Sequence, residues 1–386
     1  MDASASGGFL RFFSGLSDPR GGNAIHNLHS MLVIAVMAII CGADGWVQVQ
    51  LWGECKLPWL STFLDLPGGI PSHDTFGRLF SLLDPDAFER CFLSWMSAVV
   101  ELSAGRLVAI DGKAIRRSFE RGWDRNAMTH LVSAFVRQGP NGLVFSQVAV
   151  QDKENEILAI PRLLELLDLK GAVVTIDAIG TQREIAAQIV KAGGDYLLPV
   201  KNNQPALLEK VQSLMDDLVL DHAKGNDVSV DYFEQHEEGH GRRETRRVWV
   251  SDEIESLGKP LRDRWAGLAS LVLVERTRQN LGDFSGKVSV ERCCYISSLS
   301  AVDAKKTAGY IRGHWSVENN LHWQLDISFN EDQSRTRKGH GAENYSRLSR
   351  IALNLIKRDK TVKASVKGRR LYAGWDHDYL LRLMQQ

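Results

Sequence analysis

Apolar and polar positions follow three successive patterns along the chain, and each predicts different elements. From about residue 10 to 100 the period is helical. His26 to Cys41 reads as a helix that Gly42 can stop. Its apolar run, Leu32 to Ala43, is shorter than the roughly 20 residues of a membrane span, so it is expected in a core. Gly69-Ile-Pro-Ser72 breaks the chain, and Ser72 is placed to cap a helix through Thr75, Phe76, Leu79 and Phe80. His73 and Asp74 then belong to a polar first turn rather than to a metal site. Ala87 to Leu102 is helical again.

After Gly105 the pattern shortens. Leu107 to Ile110 is a β-branched run that ends at Asp111-Gly-Lys113. Thr129–Val136 and Leu143–Val150 flank Gly139-Pro-Asn-Gly142, which predicts an antiparallel hairpin. A helix follows from Ile157 to Leu167, then an apolar strand, Ala172–Ile176, that ends at Asp177. A second helix, Thr181–Lys191, leads to the strand Tyr196–Val200, whose Pro199 suggests an edge position. Strand, hairpin, helix, strand, helix, strand is the element order of a ribonuclease H-like sheet. Parallel crossovers in such a sheet make the first strand and the strand after the hairpin neighbours, with Asp111 and Asp177 side by side.

The third pattern is β-rich. Val228–Phe233, Thr245–Val250, Ala269–Arg276 and Val288–Ser297 read as strands of an insertion at about 205–300, before helices at Ala304–Leu325 and Ala342–Lys357. The expected fold class is α/β, a mixed sheet flanked by helices. It divides into an N-terminal helical part, 1–103, and a second part, 104–386, that carries the sheet and the β-rich insertion. No repeat or low-complexity tract interrupts it.

Composition narrows this picture modestly. The 386 residues are 44% hydrophobic and 24% charged, as in ordinary globular proteins. The formal net charge is zero, so bulk charge gives no sign of a nucleic-acid partner. Local clusters do: Arg116–Arg117, Arg242–Arg243 with Arg246–Arg247, Arg335 to His340, and the lysines and arginines from Lys357 to Arg370. Five cysteines without a Cys-x-x-Cys pair exclude the zinc-ribbon and thioredoxin signatures and fit a reducing cytosol. The first residues lack the basic start and long apolar segment of a signal peptide.

The candidate chemistry lies in carboxylates. An Asp after a strand is ordinarily a turn or cap residue. Two that end neighbouring strands repel unless a cation sits between them, and Mg²⁺ suits a few carboxylates plus water. Glu318 is the candidate third acid, with His314 and His322 one turn away on either side. That helix lacks the His-Glu-x-x-His arrangement of zinc proteases. Core packing is the expectation for Trp315 and Trp323.

Several segments then carry a resemblance: Gly69–Arg78, Ala109–Lys113, Thr175–Gln182, Lys201–Gln204, Gly239–Arg242, His314–Asp326 and Asn330–Asp332. In this order they resemble the DDE transposases of bacterial insertion sequences, in the ISAs group with the H-repeat-associated proteins. Many related transposases carry Arg and Lys where this chain has His314 and Leu325. The resemblance implies that Asp111, Asp177 and Glu318 are the DDE triad, holding two Mg²⁺ ions, with Mn²⁺ able to substitute. It implies cleavage of double-stranded DNA at element ends and joining to target DNA. Pairing two ends calls for a homodimer or larger assembly; no membrane is involved, and the setting is the bacterial cytoplasm and nucleoid. The expected DNA contacts are Lys113, Arg116, Arg242, Arg243, His314, Asn319, His322, Arg335 and Lys338, although an exposed turn lysine is the plainer account of Lys113. The alternatives are a nuclease that does not join strands and a catalytically dead relative that only binds DNA.

Overall fold

The computed structural model describes residues 8–22, 24–100, 105–118, 128–138, 141–150, 156–239, 241–281 and 288–386. Residues 139–140 of the expected turn and His240 of the Gly239–Arg242 motif lie outside the described residues. In chain order the helices and strands are α1 (Leu28–Ile40), α2 (Trp46–Leu60), α3 (His73–Leu82), α4 (Pro85–Val99), β1 (Leu107–Ala114), β2 (His130–Gln138), β3 (Asn141–Val150), α5 (Glu156–Glu165), β4 (Val173–Ile176), α6 (Arg183–Lys191), β5 (Asp195–Val200) and α7 (Pro205–Ala223). They continue as β6 (Val230–Gly239), β7 (Arg242–Ser251), α8 (Lys259–Arg262), β8 (Ser270–Asn280), β9 (Val288–Ser297), α9 (Ala304–His314), α10 (Trp323–Ser328), α11 (Gly341–Arg358), α12 (Val366–Trp375) and α13 (His377–Met384).

The chain divides into two compact units. The first joins residues 1–101, 112–159 and 317–386, so the N-terminal helices are not a compact unit by themselves. Its core is helical. Asn27 caps α1 by accepting from the His29 and Ser30 amides, and nearly every α1 side chain is buried. Such all-round apolarity is what a central helix requires. Trp46 stacks on Phe80, with ring centroids 4.9 Å apart, and meets the edge of Tyr345 on α11. Ser72 caps α3 through the Thr75 amide at 3.3 Å, as the sequence suggests. β2 and β3 form the expected antiparallel hairpin, with a register shift between Ala134 and Phe135.

The second unit, 102–111 with 160–316, is built on a sheet. Its strands run in the order β1-β4-β5-β9-β8-β7-β6. β1, β4 and β5 are parallel, and β9 is antiparallel to β5. The sheet is therefore mixed, as expected of the fold class. Leu107, Val173, Leu197, Val248, Val250, Val272 and Val274 pack against Ala304, Ala308 and Ile311 of α9. This places α9 on the sheet.

Two sequence expectations need correction here. β5 is not an edge strand, because it pairs with both β4 and β9. Pro199 is tolerated because the β4 pairing ends at Leu197, two residues earlier. Its carbonyl accepts from the Thr181 hydroxyl at 2.7 Å. The 205–300 segment does not open as β structure either. It begins with α7, whose Leu207, Val211 and Met215 are buried at a four-residue spacing.

Candidate active site

The parallel register Leu107↔Val173 through Ile110↔Ile176 fixes the start of the site. The acid is the next residue after the last pair on each strand: Asp177 follows the end of β4, whereas Asp111 lies within β1, which runs on to Ala114 instead of stopping at the acid as the sequence suggests. The four residues of β4 are buried, whereas Asp177 is exposed and Asp111 half-buried. Burial anchors the strands and leaves the carboxylates at the surface. Two acids in that position raise local negative potential, which favours a bound cation. Among the described residues no three His, Cys, Asp or Glu side chains are gathered as a ready-made metal cluster. The oxygen-only pair still fits Mg²⁺, which takes one or two carboxylates and keeps several waters.

The turn after Asp177 is held from a segment more than twenty residues on. Asn203 Nδ2 donates to the Ala178 carbonyl at 2.6 Å. Gln204 Nε2 donates to the Thr181 carbonyl at 3.0 Å. The sequence marks Lys201–Gln204 as a motif, but its task becomes visible only in these contacts. They fix the backbone that carries Asp177.

Within β4, Thr175 Oγ1 shares a hydrogen bond with His314 Nδ1 at 3.0 Å. Burial pushes the His314 imidazole down to about 4, so the ring is neutral at neutral pH. His314 is thus a structural pin between α9 and the strand that carries Asp177. The expected single helix over 304–325 is broken, because α9 ends at His314 and a wider turn begins at Glu318. The Trp323 amide donates to the Glu318 carbonyl, a five-residue step, so Glu318–His322 is a π turn. Such turns recur at functional sites. Glu318 and Asn319 are exposed on it, while Leu321 is buried. The widened turn means that the simple four-residue face does not hold from Glu318 to His322.

Comparison with known proteins decides the family. Residues 102–355 match the model described as "Transposase DDE domain", and residues 10–96 match "DDE_Tnp_1-associated". The chain belongs to the DDE transposases. It is 41% identical to "Putative transposase YncI" of Escherichia coli O157:H7, across 94% of this chain and 90% of that one. It is 36% identical to "H repeat-associated putative transposase YhhI" of E. coli K12, across 93% and 92%. A shorter stretch, 15% of this chain, is 39% identical to 68% of "Inactive transposase YbfQ" of E. coli K12.

In this transposase the remaining expected contacts fall into distinct settings. Lys113 is neither an exposed turn lysine nor placed to meet phosphate. It is buried, pairs with Asp326, and lies 3.1 Å from Glu331 and 3.9 Å from Asp332. Three carboxylates already surround its ammonium, so the expectation of a phosphate contact is corrected. Glu331 is itself clasped by Arg350 at 2.8 Å and by the Ser346 hydroxyl at 2.5 Å. Burial alone would raise its carboxyl, but the charges of Arg350 and Lys113 and these bonds hold it down at about 2. The Asn330–Asp332 motif is therefore an internal ion network, introduced by Asn330 in the left-handed region at φ 53°.

Other basic groups are exposed. Arg116 is largely in solvent and pairs with Asp332 at 3.2 Å. Arg242 and Arg243 stand at the tip of the β6–β7 hairpin, where Arg243 reaches Glu238 at 2.6 Å. Arg335 and Lys338 are exposed. Arg246 and Arg247, which belong to the same sequence cluster, are instead occupied by Glu244, Glu234 and Glu275. The C-terminal cluster also divides. Arg370 is buried and donates to the Ile39 carbonyl, and Lys357 is buried too. Trp315 and Trp323 are not core residues, at 40% and 54% exposure. Arg276 lies over the Trp315 ring, 4.3 Å from its centroid. No helix among the described residues is long and apolar enough to cross a membrane.

Proposed function

We propose that this chain cuts the ends of its insertion sequence and joins the freed 3′ ends to target DNA, with Asp111, Asp177 and Glu318 as the metal-holding triad. The carrying observation is the β1–β4 register, whose last pair, Ile110 with Ile176, immediately precedes Asp111 and Asp177 on neighbouring strands. Glu318 enters on the family relation and on its exposure in a π turn four residues after the pinned His314. When bound, two Mg²⁺ ions would supply the Lewis acidity of two-metal phosphoryl transfer. We read the core as ribonuclease H-like on the same grounds.

The protein's own part is positioning. The acids hold oxygen ligands at fixed strand and turn positions. Asn203 and Gln204 keep the Asp177 turn from relaxing. His314 stays neutral beside Thr175 and adds no charge to the site. Exposed Arg116, Arg242, Arg243, Arg335 and Lys338 are the candidate phosphate contacts, with Asn319 and His322 nearer the acids along the chain. Cleavage breaks the bond from phosphorus to the 3′ oxygen as a water oxygen attacks; in joining, that 3′ hydroxyl gives up its proton and attacks a target phosphate, whose own bond to the target strand's 3′ oxygen breaks and leaves a new 3′ hydroxyl there. Pairing two ends would bring a second copy of the chain.

The test is an assay of purified protein on DNA carrying its own gene with flanking sequence, in Mg²⁺ or Mn²⁺, beside Asp177→Ala. Metal-dependent 3′-end cleavage and joining, lost in the variant, supports the reading. Cleavage without joining makes the protein a nuclease. Flank binding with neither makes it an inactive relative, and full cleavage by Asp177→Ala removes the triad.

A further inference from the structure

Lys357, near the end of α11, has no place in the chemistry above, yet it is the kind of group that folding normally excludes. An isolated ammonium is costly to bury, and no carboxylate forms an ion pair with this one among the described residues. Its nitrogen donates to the Asn320 carbonyl at 2.6 Å and to the Gly142 carbonyl at 3.1 Å. The Phe135 ring lies on a third side, 5.2 Å away. Burial pushes its pKa down to about 7. Either protonation state still has two N–H donors, enough for both carbonyls.

The frame around this lysine is rigid. Asn354, one turn earlier on α11, donates to the Val144 carbonyl at 2.7 Å and accepts from the Val144 amide at 3.0 Å. That double bond locks α11 to β3. Gly142 can approach because it lacks a Cβ, which would overlap the Phe135 ring. The other acceptor, Asn320, lies at the middle of the π turn Glu318–His322. A π turn disturbs the regular backbone ladder, and here the Asn320 carbonyl accepts a bond from a side chain on another helix. Lys357 supplies it, two residues from Glu318.

We propose that Lys357 is a positioning residue: by holding the Asn320 carbonyl it fixes the π turn and so sets the carboxylate of Glu318 for cation binding. The inference rests on the reading of Glu318 as a metal ligand. Lys357 acts through the backbone and touches neither cation nor DNA.

The test titrates Mn²⁺ in the end-cleavage assay with the full chain, its Lys357→Met and Lys357→Arg variants, and Glu318→Gln. Binding to the same DNA without metal is measured in parallel. The Met variant keeps the length and apolar stem but loses both donors. It should need about tenfold more Mn²⁺ for half-maximal cleavage, the scale of outer-shell losses at metal sites, with DNA binding within about twofold. Arg replaces one tetrahedral nitrogen with a planar fork while keeping the charge. It should raise the Mn²⁺ requirement less, and it decides the matter alone if the Met variant does not fold. An unchanged Mn²⁺ requirement in the folded variants overturns the proposal, as does a uniform loss of cleavage and binding, which a merely structural residue would give. Full activity of Glu318→Gln overturns the reading of Glu318 itself. A dead Glu318→Gln beside a Lys357 variant indistinguishable from the parent overturns the role of Lys357 alone.

Discussion

Replacing Glu331 by Gln isolates the value of one buried ion network. Glu331 is 4% exposed and faces Arg350, which is fully buried, and Lys113, which is nearly so. Arg350 Nε and Nη2 have no hydrogen-bond partner among the described residues, so Glu331 is the carboxylate that balances this guanidinium. Lowering the carboxyl from 4.5 to about 2 corresponds to roughly 3 kcal/mol of stability. Breaking a buried pair by removing one member costs about 3–5 kcal/mol in other proteins, so two routes agree. The sign follows from linkage. The folded state holds the proton less tightly than the unfolded chain, so the contribution is complete above about 4.5 and fades as pH falls towards 2. Urea unfolding of the full chain and of Glu331→Gln at neutral pH should differ by about 3 kcal/mol, and the gap should narrow below pH 4.5. A loss under about 1 kcal/mol, or a gap that does not change with pH, would refute the account.

Four further outcomes are expected. Asn203→Ala removes the bond to the Ala178 carbonyl and should slow cleavage by about tenfold while leaving DNA binding near the parent value in a gel-shift titration. Arg242→Ala with Arg243→Ala should lower the slope of log binding constant against log salt by about 0.9 for each phosphate no longer neutralised; an unchanged slope removes both from the DNA surface. Gly142→Ala should destabilise by about 1–3 kcal/mol through overpacking against Phe135, read by thermal unfolding. Lys357 carries a pKa lowered from 10.5 to about 7, so between these values the unfolded chain binds the extra proton and stability rises with pH. Unfolding free energies of Lys357→Met should lack that rise.

Local pattern was enough to place most elements. Short apolar and β-branched runs locate β1, β4 and β9, and the Ser72 cap locates α3, because strands and caps are written in a few adjacent residues. The motifs around Asp111, Asp177 and Glu318 carry the family in the same local way. The helix α7 was legible too, from Pro205 at its first turn and the Leu207, Val211, Met215 spacing, but the β-rich composition downstream masked it. Pro199 misleads because its penalty depends on what lies beside it, and β4 happens to end before reaching it.

What tertiary structure alone decided is the fate of charges and aromatic rings. Lys113, Lys357, Arg350 and Arg370 read in sequence like any surface cation, and all four are interior. Trp315 and Trp323 read as core and face solvent. A long side chain's burial depends on acceptors contributed by distant segments: Glu331 for Lys113, and the Asn320 and Gly142 carbonyls for Lys357. The same holds for the clamp of Asn203 on the Asp177 turn. The amino-acid sequence by itself determined most of the elements, the two acids that follow the β1–β4 pairing and the family, since each is encoded within one stretch of chain. Which of its cations stay free for a partner was settled only when the fold brought far-apart carbonyls and carboxylates to meet them.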